Sequence, residues 1–94
     1  MSEITTKQVT RAAIDRFGHQ YQIIVAIEEL SELQKELTKV LPGIGKREHV
    51  IEEMADVEIC LQELTEMFNV TAEEKENSIY EKLSRLDRRL RGKQ

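Results

Sequence analysis

Apolar residues recur at intervals of three and four along most of this chain, in four runs separated by turn signals. The spacing predicts a first helix over about Thr5 to Phe17, with Val9, Ala13, Ile14 and Phe17 on one side and Gly18 as its stop. A second runs from about His19 to Leu41, with Ile23, Ile27, Leu30, Leu33 and Leu37 in register. Pro42-Gly43-Ile44-Gly45 then breaks the chain, since proline cannot continue a helix and glycine permits the turn. A third runs from about Lys46 to Phe68 with Val50, Met54, Val57, Leu61, Leu64 and Phe68 aligned. Thr71 with Glu74 three residues on is a capping box that opens a fourth helix, Ala72 to about Arg91, striped by Ile79, Leu83, Leu86 and Leu90. No segment alternates as a strand does. The expected architecture is all-α, a single domain over 1–94 with a four-helix bundle-like subunit.

The acids beside these stripes carry chemical information. In projection on the second helix, with Glu29 at 0°, Leu30, Leu33 and Leu37 fall at about 100°, 40° and 80°, while Glu32 and Glu36 fall at about 300° and 340°. With Glu53 at 0° on the third helix, Met54, Val57 and Leu61 take the same three angles and Asp56 lies at about 300°. Glu29-x-x-Glu32 and Glu53-x-x-Asp56 thus share one shoulder beside the apolar stripe. A short connection makes the two helices antiparallel neighbours, and the expectation is that their apolar faces meet and bring the shoulders together. Converging carboxylates repel unless a hard divalent cation compensates them, and Mg²⁺ with oxygen ligands is the natural choice. Exposed helix faces are also ordinarily rich in glutamate, so periodicity alone leaves a solvated surface open.

Length and charge narrow the class further. A domain of 94 residues buries only about 60–65% of its unfolded surface, so its core is thin and homo-oligomerisation is expected to complete it. No apolar run reaches membrane-spanning length, and the start MSEITTKQVTR holds no hydrophobic signal region, which predicts a cytoplasmic protein without a membrane partner. Glu28 to Glu66 holds eleven acids against four cations, whereas Arg85 to Gln94 holds five cations and one acid. So acidic a middle argues against nucleic acid as the partner, and cations at the end complement a helix dipole. Lone Cys60 reads as packing, His49 as an i,i+4 neighbour of Glu53, and His19 opens the second helix.

The run Gly18 to Leu33 resembles the first motif helix of the MazG-like, all-alpha nucleoside triphosphate pyrophosphohydrolases, and Val50-Ile51-Glu52-Glu53-Met54-Ala55-Asp56-Val57 resembles their second. That family is marked by Glu-x-x-Glu and a later Glu-x-x-Asp; twenty residues separate Glu32 from Glu53 here. The resemblance covers Phe17 to Asn69, and the helix around Tyr80 to Leu86 more loosely. It implies hydrolysis of a (deoxy)nucleoside triphosphate to the monophosphate and pyrophosphate, as nucleotide-pool housekeeping. It further implies Mg²⁺, with Mn²⁺ as a substitute, on Glu29, Glu32, Glu53 and Asp56 as ligands and catalytic residues, and a homodimer or homotetramer sharing a bundle. Lys39, Lys82, Arg85 and Gln22 are the candidates for holding substrate.

Departures from the pattern are equally legible. With no tryptophan, stacking on a base falls to Phe17, Tyr21, Phe68 or Tyr80, residue types that more often fill a core. The last helix lacks a clean match to the lysine and asparagine pattern of many members. A carboxylate-bridged di-iron bundle would need Glu-x-x-His, which the chain does not contain. A non-catalytic helical interaction module, or one that binds nucleotide without hydrolysing it, is the alternative reading.

Overall fold

The computed structural model describes residues 5–92; Met1–Ile4 of the N-terminus and Lys93 of the basic tail lie outside the described residues. The described residues form four helices and no strand: α1 (Thr6–Phe17), α2 (His19–Val40), α3 (Arg47–Met67) and α4 (Ala72–Leu90). Local chemistry explains the boundaries. Thr5 caps α1 by accepting from the Gln8 amide while Gln8 returns a bond to the Thr5 amide, and Thr71 with Glu74 does the same for α4. Gly18 ends α1 at φ 91°, a conformation that only glycine adopts without strain. After α2 the Lys39 carbonyl accepts from the Ile44 and Gly45 amides, and a Cβ on Gly45 would lie 2.9 Å from the Val40 nitrogen, so this turn needs glycine there.

α2 and α3 pack antiparallel, and α1 lies against α3 and, less extensively, α2. The buried column of α2 is Gln22, Ala26 and Glu36, with Glu29 and Leu33 half-buried between them. That of α3 is Val57, Cys60 and Met67, with Val50, Glu53 and Leu64 half-buried. Both columns step by three and four, the spacing of a helix seam. The expectation that the apolar stripes form this seam holds in part: Leu33 on α2 and Val50, Val57 and Leu64 on α3 stand in it, and the rest do not. Ile27, Leu30, Leu37, Met54, Leu61 and Phe68 each sit one residue after a seam position and are substantially exposed. One residue is a rotation of about 100°. In an antiparallel pair that rotation carries both stripes to the same side, so α2 and α3 share a seam containing acids and one apolar face that the subunit leaves open.

The expected four-helix bundle is also only partly realised, because three helices pack together and α4 stands apart. Among the described residues α4 packs against none of the other helices, and all four residues of its stripe are exposed. Only its first turn is tied back, through Lys75 Nζ to Thr65 Oγ1 at 3.0 Å. Similarly on α1, Ile14 is buried but Val9 and Phe17 are exposed, Phe17 stacking at a tilt on Tyr21 with centroids 5.3 Å apart. The accessible surface of 7729 Å² compares with about 5,600 Å² for a compact monomer of 10.9 kDa. The radius of gyration, 16.5 Å, likewise exceeds the roughly 12.4 Å expected of a compact domain of this length.

α1 is fastened to α3 by a buried polar clamp. The Thr10 hydroxyl donates to Glu66 Oε2 at 2.6 Å, Gln62 Nε2 donates to the same oxygen at 2.7 Å, and Arg11 Nε lies 3.6 Å from Oε1. Burial pushes the Glu66 carboxyl up, but the bonds from Gln62 and Thr10 and the charges of Arg11 and Lys7 outweigh it and hold the group below its ordinary 4.5. A depressed carboxyl contributes stability above its unfolded pKa and loses it as the pH falls through the folded one. Urea midpoints should therefore drop between about pH 5 and pH 3, and Glu66→Gln should lose that part of the acid sensitivity. Thr10→Val, which leaves the carboxylate short of a donor, should cost about 1–3 kcal/mol at pH 7 in the same titration.

Candidate metal centre

Midway along the seam, Glu29 of α2 and Glu53 and Asp56 of α3 converge, each offering a carboxylate oxygen within 4.8 Å of the others. The spacing of three between Glu53 and Asp56 puts both on the side of α3 that faces Glu29. Two unit charges 4.8 Å apart repel by about 3.5 kcal/mol at an effective dielectric near 20. Burial first, then the charge of Asp56, a proton shared with Glu53, and the charges of Glu53 and Glu32 push the Glu29 carboxyl above its usual range. Glu53 Oε1 is buried and receives no hydrogen bond; the same holds of Glu36 Oε1 and Glu66 Oε1, but these lie 3.6 Å from His49 Nδ1 and Arg11 Nε.

The other buried acids of the bundle have partners of their own. Glu36 lies 3.4 Å from Lys39 Nζ and 3.6 Å from His49 Nδ1. Glu63, pushed up by burial and held down by a hydrogen bond from Gln22, closes the opposite end of the seam. Glu66 has the clamp. No lysine, arginine or histidine among the described residues pairs with Glu29, Glu53 or Asp56. An all-oxygen donor set with a buried oxygen that accepts no hydrogen bond is of the kind that suits a hard divalent cation, Mg²⁺ among them.

Three of the four expected ligands are thus brought together. Glu32 is exposed and outside the triad, because Leu33 rather than Glu32 takes the seam position of that turn, although its charge still reaches Glu29. Lys39 lies seven residues beyond Glu32, about 10 Å along α2, and is held by Glu36. Gln22 is buried against Glu63 at the far end. Lys82 and Arg85 are on α4, where Arg85 lines a shallow groove with Tyr80, Glu81, Ser84 and Arg88, remote from the triad within one subunit. Sequence reasoning missed Glu36, Glu63 and Glu66 as buried acids. The 3-4 spacing of Gln22, Ala26, Glu29, Leu33 and Glu36 carried the signal for the first of them.

Cys60 occupies the seam one turn beyond Asp56. Burial, then the charges of Glu63, Glu29 and Asp56, raise its thiol to about 11, so it packs as a small hydrophobe. No helix of the described residues is long and apolar enough to cross a membrane. No protein-family model, curated protein or solved structure matches the chain.

A cation that binds only the folded triad stabilises by mass action, by about 1.4 kcal/mol at ten times its dissociation constant. For a chain this small that is a rise of roughly 6–11 °C in Tm. The rise should appear with MgCl₂ or MnCl₂ at pH 7 and shrink as the pH falls through the raised range of the Glu29 carboxyl. Glu53→Gln should abolish it. Ionised Glu29 is the costly form, so cation-free stability falls as pH rises through its raised pKa, and Glu29→Gln should be more stable than the parent in EDTA at pH 7.

Proposed function

We propose that the chain is a Mg²⁺-dependent nucleoside triphosphate pyrophosphohydrolase of the MazG-like kind, cleaving between the α and β phosphates. The observation that supports this reading is the carboxylate cluster of Glu29, Glu53 and Asp56, to which no lysine, arginine or histidine among the described residues is paired. The two motifs that supply it are those on which the family resemblance rests. When bound there, Mg²⁺ supplies neutralisation of the polyphosphate and polarisation of the phosphorus under attack.

The chain's own residues divide the remaining work. Glu29, Glu53 and Asp56 hold the cation and, by their fixed positions on two packed helices, orient what it carries. Exposed Glu32, next to the triad, adds negative charge that draws the cation in. Lys39, on the same flank of α2 as Glu32, faces the more distant phosphates and is kept in place by Glu36. Lys82 and Arg85 serve only where α4 reaches the site, which in one subunit it does not. A homodimer or homotetramer fits the excess of surface described above. The substrate class is a (deoxy)nucleoside triphosphate, and the role is nucleotide-pool housekeeping in the cytoplasm.

Incubation of the full chain with a panel of nucleoside and deoxynucleoside triphosphates should release pyrophosphate and the monophosphate in MgCl₂ or MnCl₂, and neither in EDTA. Glu53→Gln should lower kcat by about 10²–10³ while its circular dichroism stays that of the parent. Absence of pyrophosphate with every triphosphate and both metals would replace the enzyme by a non-catalytic helical or nucleotide-binding module.

A further inference from the structure

We infer that the cavity between α1 and the last turns of α3 is a binding site for free inorganic phosphate, held by Lys7 and Arg11 of α1 and by Gln62, Glu66 and Asn69 of α3. These residues line an open cavity of about 310 Å³. Glu66 stands ten residues beyond Asp56, about 15 Å along α3, so the cavity is separate from the carboxylate cluster. The inference therefore stands whether or not that cluster hydrolyses nucleotides.

Charge sets the sign of the ligand. Lys7 and Arg11 are four residues apart, on one side of α1, and Glu66 is the one acid of the lining, so cations exceed acids there. α1 itself adds to the excess. Its first turn holds no acid and carries Lys7, the reverse of what a helix dipole favours. A lysine and the positive end of a helix together disfavour each other in the empty protein, and a bound anion relieves both.

Glu66 sets which anion. Its side chain is only 4% exposed, and Oε2 accepts from Thr10 and Gln62. Oε1 accepts no hydrogen bond, because Arg11 Nε at 3.6 Å lies beyond bonding distance. A buried acceptor without a donor, beside two cations, repels an anion that carries no proton and welcomes one that does. Inorganic phosphate at pH 7 always keeps a proton. Its P–OH donates to Glu66 Oε1, which it reaches as half-exposed Arg11 turns toward the ligand, and its other oxygens accept from Lys7, Arg11 and the Asn69 amide. Sulfate has the same shape and no proton at that pH. A phosphate monoester loses its second proton at about pH 6, and so arrives at pH 7 mostly without one. An amino acid would offer Glu66 an ammonium, but only by setting a third cation beside Lys7 and Arg11. Because the ligand touches both helices, it latches α1 onto α3 next to the Thr10–Glu66 bond.

The experiment is calorimetric titration of the full chain in EDTA at pH 7 and constant ionic strength, with potassium phosphate, potassium sulfate, glycerol phosphate and glycine in turn. Phosphate should bind one per chain and raise Tm by roughly 6–11 °C at ten times its dissociation constant. The other three should bind weaker by about tenfold or more. Phosphate should also slow hydrogen exchange of the α1 amides. Lys7→Gln with Arg11→Gln, both at exposed positions, should keep the parent's circular dichroism and lose about tenfold or more in phosphate affinity. Glu66→Gln, which removes the charge and keeps the shape, should bind sulfate as well as it binds phosphate. The inference is overturned by no phosphate binding, by sulfate or glycine binding as tightly, or by tighter binding of glycerol phosphate. Unchanged phosphate affinity in the Lys7, Arg11 double variant would overturn it as well, since the anion would then sit elsewhere.

Discussion

Carboxylates stand in the α2–α3 seam at positions where a helix pair ordinarily keeps leucines, and most of the structure follows from that. A seam built from Gln22, Ala26, Glu29, Leu33 and Glu36 against Val50, Glu53, Val57, Cys60, Leu64 and Met67 buries little apolar area of its own. A fully buried leucine or methionine is worth about 1.5–3 kcal/mol, and several of these residues are only half-buried. The same seam must hold carboxylates close to one another. The pair is therefore poor in hydrophobic stabilisation and rich in repulsion, and both deficits call for something from outside the pair.

The two remedies act on different sides of the same two helices. The apolar stripes lie about 100° from the seam in one sense, whereas Asp56 and Glu32 lie about 60–80° from it in the other. A layer of apolar side chains laid on the first side adds the missing burial without covering the second. A cation on the second side cancels the charge without disturbing the first. α1 contributes in the same spirit, gripping α3 through Thr10, Gln62 and Glu66 beyond the triad rather than over it. The two sides are mechanically linked through the seam, because whatever presses α2 on α3 also sets the distance from Glu29 to Glu53 and Asp56.

Much of this was legible from residue spacing, and the remainder was hidden for definite reasons. Four helices, their breaks at Gly18 and Pro42, and the cap at Thr71 can be read off local chemistry, because each depends on neighbours within four residues. The grouping of Glu29, Glu53 and Asp56 follows from two helices, one short turn and a shared shoulder. What spacing does not reveal is which of two columns 100° apart faces the chain's own neighbour. Ile27, Leu30, Met54 and Leu61 form a convincing core stripe, yet a stripe states only that something covers it. Glu32 shares the side of Asp56, as its spacing implies, but stands outside the 4.8 Å cluster. The Thr10–Glu66 bond joins residues 56 apart and leaves no periodic trace at all.

The buried acids of this fold offer their own control experiment in electrostatics. Glu36, Glu63 and Glu66 all lie at seam ends or under α1, and each faces a donor, lysine and histidine at Glu36, glutamine at Glu63, threonine, glutamine and arginine at Glu66, although burial still holds Glu63 above its ordinary range and one oxygen each of Glu36 and Glu66 accepts no hydrogen bond. At Glu66 the provision is strong enough to hold the carboxyl below its ordinary range despite burial. Glu53 is on the same helix, with a buried oxygen, and its neighbours are Glu29 and Asp56. The difference at Glu53 is the sign of the nearby charge: lysine, histidine or arginine at Glu36 and Glu66, two further acids here. An all-oxygen cluster of this kind is a donor set that suits a hard divalent cation.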